Sequence, residues 1–172
     1  LNPSSAASDV YKRQGVDSSG EGNHFTDTGF AVGNTSQVWS ATLTNPDNEW
    51  YEGLGPSKAF NGSTADGFQC SAPKYANVDQ VWTVPSGVSE SSATVMFLGT
   101  EILVNGISRV SGLNLAEVHT VPFGTIKSGD VVTIKRDGGI SNLYAFWLDG
   151  KMLLDPEFSS SVVDSPTIGT TV

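Results

Sequence analysis

Carboxylates are the most plentiful reactive groups in this chain. Eighteen Asp and Glu stand against nine Lys and Arg in 172 residues, a formal net charge of −9. Glycoside hydrolysis needs two carboxyl groups roughly 5–10 Å apart, and Asp47, Glu49 and Glu52 are the nearest thing to such a group. They crowd one short polar segment, where a solvated face is the simpler reading. His24 and His119 stand far apart, and His119 alternates along AEVHTVPF as a satisfied or surface histidine would. No G-x-S-x-G, H-E-x-x-H or P-loop pattern occurs. Cys70 is the single cysteine, which rules out a disulfide within the chain and a cysteine-based zinc site. Beside Phe68 and Ala72 it reads as a small filler. The expectation is a protein that is not an enzyme.

Binding chemistry has a better candidate. TNPDNEWYEGLG places adjacent aromatics, Trp50 and Tyr51, in a polar segment with Pro, Asn and Gly that reads as a loop. Flat apolar rings beside Asn45, Asp47 and Glu49 match a sugar, which offers C–H patches to stack on and hydroxyls to bond. The competing reading is that one ring folds back to cap the core. The acidic balance lacks the basic footprint of a nucleic-acid binder and disfavours anionic partners overall. No apolar run approaches the ~20 residues of a membrane-spanning helix, so no membrane insertion is expected.

The elements that must position these residues are strands. With 38% hydrophobic and 16% charged residues and 19 Gly, the composition is that of a turn-rich all-β chain. From Gln37 to about Asp155, short apolar runs recur about every 8–12 residues, the spacing of an antiparallel β-sandwich or jelly roll. The clearest runs are QVWTV (80–84), ATVMFLG (93–99), EILVNGISRV (101–110), AEVHTVPF (116–123), DVVTIKR (130–136) and NLYAFWLDGKMLLD (142–155). Asn105-Gly106 and Asp149-Gly150 lie between apolar runs and fit type I′ turns, whose two central residues take positive φ.

LYAFWL is apolar on both alternating faces, with Leu143, Ala145 and Trp147 on one and Tyr144, Phe146 and Leu148 on the other. That predicts a central strand buried on both sides. DVVTIKR is greasy on one face only, which predicts a strand near an edge or on the outer face. Trp39, Trp82 and Trp147 fall in strand-like runs and are expected in the core. The sandwich module is expected over 37–156. Residues 157–172, rich in Ser, Thr and Pro, read as a linker to a further module, and 15–36 as a linker or the end of a preceding one, with extended or disordered termini.

Three resemblances add to this reading. LNPSSAASDVYKRQ, residues 1–14, resembles a translated sequencing-adaptor scar and is set aside as a non-native tail. DSSGEGNHFT resembles a segment of laminin-G-like domains. GPSKAFNGSTADGF resembles a helical turn and loop of discoidin-like, galactose-binding-like jelly rolls, which often encloses a structural calcium. Through that pattern Pro56–Phe60 form the turn, Gly62 reverses the backbone and Phe68 plugs the loop into the core. Asn61 and Asp66 become weak calcium candidates, because Asn61 stands where an Asp is usual.

Over most of the domain, the order of SQVWSATL, KAFNGST, LYAFWLDGKMLLD and VDSPTIGT resembles a repeated module of marine bacteriophage tail-fibre and virion structural proteins. This resemblance implies a non-enzymatic binding and spacer module in a virion or extracellular fibre. Its partners would be a cell-surface glycan or other virion proteins, and the full-length fibre a possible homotrimer. A purely structural spacer and a carbohydrate-binding module attached to a secreted bacterial hydrolase are the alternatives.

Overall fold

The computed structural model describes residues 37–65 and 68–159. The expectations for 1–36 and 160–172, and those for His24 and Asp66, fall outside the described residues.

The described chain is an all-β sandwich of two antiparallel sheets. Its strands in order are β1 (Leu43–Thr44), β2 (Gln80–Thr83), β3 (Ser91–Leu98), β4 (Glu101–Val104), β5 (Ile107–Val110), β6 (His119–Ile126), β7 (Val131–Lys135), β8 (Asn142–Leu148) and β9 (Lys151–Met152). One sheet runs β1-β2-β7-β4-β5 and the other β6-β3-β8-β9. Two 3₁₀ turns, Trp39–Thr42 and Pro56–Phe60, and a last helical turn α1 (Pro156–Ser159) complete the described fold. The turn at Pro56–Phe60 has Pro at its start, and Gly62 then reverses the chain at φ +80°.

The two sheets meet in one core. β2, β4 and β7 supply Trp82, Ile102, Val104, Val132 and Ile134, while β3, β6 and β8 supply Val95, Phe97, Phe123, Ile126, Leu143 and Phe146. At its centre the Trp82 and Phe146 rings stack at 4.5 Å, flanked by Phe60 at 6.1 and 5.9 Å. Trp39 packs on Trp82 at 6.4 Å, and Trp82 Nε1 donates to the Trp39 carbonyl. Both expected turns form: Asn105 and Gly106 take φ of 51° and 77°, Asp149 and Gly150 of 50° and 76°.

Three expectations are corrected. DVVTIKR is the middle strand of its sheet, paired with β2 on one side and β4 on the other. Its alternation is as read, with Val132 and Ile134 fully buried, but one-faced burial is what any strand of a two-layer sandwich shows and does not mark an edge.

β8 is internal and buried on both sides, yet its faces are shuffled. Its register against β3 shifts between Met96 and Phe97, which leaves Tyr144 as the extra residue. The bulge lets Leu143 and Phe146, three apart, reach the same core, and Trp147 is left half-buried on the far face. Phe68 does not plug its loop: it is 74% exposed, and Phe60, before the loop, occupies the core with no exposure at all.

Polar groups lock the layers where apolar packing has no direction. Gln80 on β2 is fully buried and reaches across to the second sheet. Its Nε2 donates to the carbonyl and Oγ of Ser141 at 3.0 and 3.2 Å and to the Ser71 carbonyl at 3.3 Å, while its Oε1 accepts from Ser71 Oγ at 2.7 Å. Asp155, 2% exposed, fastens the closing segment to the first turn by accepting from the Ser40 amide at 3.1 Å and from the Ser40 hydroxyl.

Candidate functional site

The segment carrying the aromatic pair is built against the outer side of the second sheet. Ser71 and Leu143 exchange backbone hydrogen bonds at 2.8 and 2.9 Å, which adds residues 71–73 beside β8. The Tyr51 amide donates to the Ala72 carbonyl and the Ala72 amide to the Leu54 carbonyl, so Glu49–Leu54 docks on that added strand. Beneath it lies a smaller apolar cluster of Leu54, Cys70, Ala72 and Tyr144, with Met96, Leu98, Val118 and Ile140 at its margin. This cover is why β8 is apolar on both faces.

The five candidate residues go to different tasks. Asn45 is 5% exposed and its side chain closes the loop on itself, donating to the Glu49 carbonyl at 3.2 Å and accepting from the Glu49 amide at 3.3 Å. Asp47 is exposed. Glu49 accepts from Lys74 Nζ at 2.6 Å and from the Tyr75 hydroxyl at 3.0 Å. Those two donors, Lys74 first, hold its carboxyl below the ordinary value. Trp50 is half-buried against the main core, and its backbone bridges Pro73. Tyr51 turns outward and is 48% exposed. The pair is thus divided, one ring acting as a cap and the other available.

Tyr51 stands at an open groove of about 340 Å³, lined further by Leu54, Ala72, Arg136, Ile140 and Asn142. Ile140 and Asn142 belong to the approach and first residue of β8, and Arg136 directly follows β7. The groove therefore gathers residues from three distant stretches of sequence. Arg136, Ile140 and Asn142 were not legible as ligand residues, because they lie 85 or more positions from Tyr51 and the approach is made by tertiary pairing alone. The one available signal was the Arg136-Asp137-Gly138-Gly139 turn, where a long cation precedes a tight reversal.

No group of three or more metal-ligating side chains exists among the described residues. Asn61 is committed within its own loop: its Oδ1 accepts from the Ser63 amide at 2.9 Å and its Nδ2 donates to Gln69 Oε1 at 3.1 Å. Its loop is held as an Asx turn by that first bond. Cys70 is fully buried, and burial pushes its thiol up to about 11, which keeps it a thiol at neutral pH. His119 Nε2 lies 2.9 Å from the Asn114 carbonyl, and its ring packs 6.4 Å from Phe97, an arrangement that serves the β6 edge. No described helix is long and apolar enough to cross a membrane. Comparisons of the chain with protein-family models, with curated proteins and with solved structures gave no match.

Proposed function

We propose that this chain is a non-enzymatic binding and spacer module of a phage tail fibre or other virion protein, which attaches weakly and multivalently to cell-surface glycans. The exposed Tyr51 ring at the mouth of the groove carries the binding part of this reading. An apolar ring left half in water next to apolar walls and an amide suits the mixed surface of a saccharide. The fibre setting rests on the resemblance of SQVWSATL, KAFNGST and LYAFWLDGKMLLD to repeated fibre modules, and a two-sheet sandwich of the jelly-roll kind is the architecture that resemblance implies. Repetition along a fibre raises effective concentration, so single sites of about millimolar affinity suffice for attachment.

A glycan array probed with the full chain tests this. Binding should disappear in Tyr51→Ala while the circular dichroism and melting curve stay as in the parent. Trp50→Ala should instead lower the melting temperature, because that ring is packed on the core. An array that is blank for the parent protein would leave the module a spacer.

A further inference from the structure

The guanidinium of Arg136 gives the groove a chemical preference. Its Nη2 donates to the Leu115 carbonyl at 2.9 Å and its Nη1 to the Ile140 carbonyl. Both acceptors are neutral, and Arg136 has no carboxylate partner among the described residues, where the ion pairs are Lys74–Glu49 and Lys135–Glu101. Lys58, Arg109, Lys127 and Lys151 are likewise outside those two pairs, so what sets Arg136 apart is that two carbonyls hold its guanidinium in place. The two bonds fix the orientation of the group and still leave a second hydrogen on each terminal nitrogen. Its Nε is buried with no hydrogen-bond partner. Gly139 permits this seating: a Cβ there would fall 2.9 Å from Nε and 3.0 Å from Cζ. The cation is thus built into the groove wall.

Resting on the glycan-binding reading above, we propose that the groove takes an acidic sugar, a uronate whose carboxylate is bound by Arg136 while its ring lies against Tyr51. A neutral sugar could accept from the guanidinium only through hydroxyls and would leave its charge unmatched, and an inorganic anion would leave the aromatic ring and the apolar walls of Leu54, Ala72 and Ile140 without a role. Asn142 supplies an amide that both donates and accepts, as ring hydroxyls require. A volume of about 340 Å³ lies at the small end of the ~300–1,000 Å³ range of ligand clefts, enough for about one or two rings. The net charge of −9 repels a long polyanion, so the site reads a short stretch or a chain end.

The experiment compares trigalacturonate with its methyl ester, which keeps the rings and removes the charge, by calorimetry on the full chain. The acid should bind at least about tenfold more tightly, equivalent to about 1.4 kcal/mol. Arg136→Gln should bring the two ligands level. Because Arg136 also ties down Leu115 and Ile140, the parent protein is examined alongside by NMR: the Arg136 side-chain N–H resonances should move with the acid and stay put with the ester. Equal affinity for acid and ester, with those resonances unmoved, would overturn the acidic preference and keep glycan binding. Failure of both ligands to bind would also overturn it, and the array then decides separately whether the groove takes a neutral sugar.

Discussion

At the scale of single residues, the decisive features are those where geometry leaves one choice of atom. Gly99 lies in the short connection by which the chain leaves β3 in one sheet and enters β4 in the other. A Cβ there would stand 2.6 Å from the Lys135 carbonyl oxygen and 2.8 Å from the Phe97 ring. The carbonyl belongs to the middle strand and accepts from the Thr100 amide at 2.8 Å, so it cannot retreat cheaply. Gly99→Ala should therefore cost about 1–3 kcal/mol, the range for overpacking a filled site. Urea denaturation checks this, and a variant of parental stability would show that the connection can open.

Such positions are poorly legible in sequence, because a glycine dictated by a neighbour 36 positions away looks like any turn glycine. The same holds for Gln80, a polar residue that opens an apolar run yet is fully buried between the layers. Phe68 and Phe60 were exchanged for a related reason. Both flank the loop, and only the packing of the Pro56–Phe60 turn against β8 decides which ring enters the core.

At the scale of elements, periodicity spoke clearly where strands are regular and failed where they bulge. The alternation in 131–135 identified the buried face of β7, although not its central place, since sheet order depends on pairings that leave no mark on the strand itself. In β8 the shift beside Tyr144 breaks the alternation, and this sent Trp147 to the outer face against expectation. A second shift between Ala93 and Thr94 lets Phe123 and Ile126, three apart, both face the core, where Phe123 meets Phe146 edge-on at 6.3 Å.

Turns were the most legible elements, and one of them couples two loops. Asn105, in the β4–β5 turn, donates from Nδ2 to Asp130 Oδ1 at 2.9 Å and accepts from the Val131 amide, while Asp130 Oδ2 accepts from the Lys127 amide at 2.8 Å. The Asn105 amide first, and the Lys127 backbone second, hold the Asp130 carboxyl below the ordinary value of 3.8. With a folded value below the unfolded one, the unfolded chain binds more protons between the two. The stabilisation is therefore complete above the unfolded value and is lost as pH falls through the folded one. Asp130→Asn should be less stable than the parent at pH 7, and the gap should narrow as pH drops below about 4. A gap that stays constant from pH 7 to pH 2 would mean that the ionised form contributes nothing to holding the turns together.

At the scale of the molecule, the two-sheet sandwich followed from strand spacing, low charge density and turn residues, whereas the groove did not, because its walls come together only after the sheet has folded. Charge is the property that belongs to the whole chain. The excess of acids over bases extends to the described residues, where folding brings like charges closer, and their mutual repulsion works against the compact state. Opposing it locally are the Lys74–Glu49 pair at 2.6 Å and the Lys135–Glu101 pair at 3.4 Å. The former is about half exposed on both partners and the latter about a quarter to a third, so water screens both and neither contributes much. Salt weakens both effects, and the sign of the net change shows which is larger. Raising ionic strength from about 0.01 M to 0.15 M shortens the screening length from ~30 Å to ~8 Å. That removes most of the long-range repulsion and leaves contact pairs partly intact. The melting temperature at pH 7 should rise by about 2–4 °C, the shift that ~1 kcal/mol produces at this chain length. An uncharged osmolyte at matched osmolarity controls for non-ionic effects. A fall in melting temperature on adding salt would mean that the two ion pairs outweigh the repulsion, and Lys74→Gln would then have to abolish most of that fall.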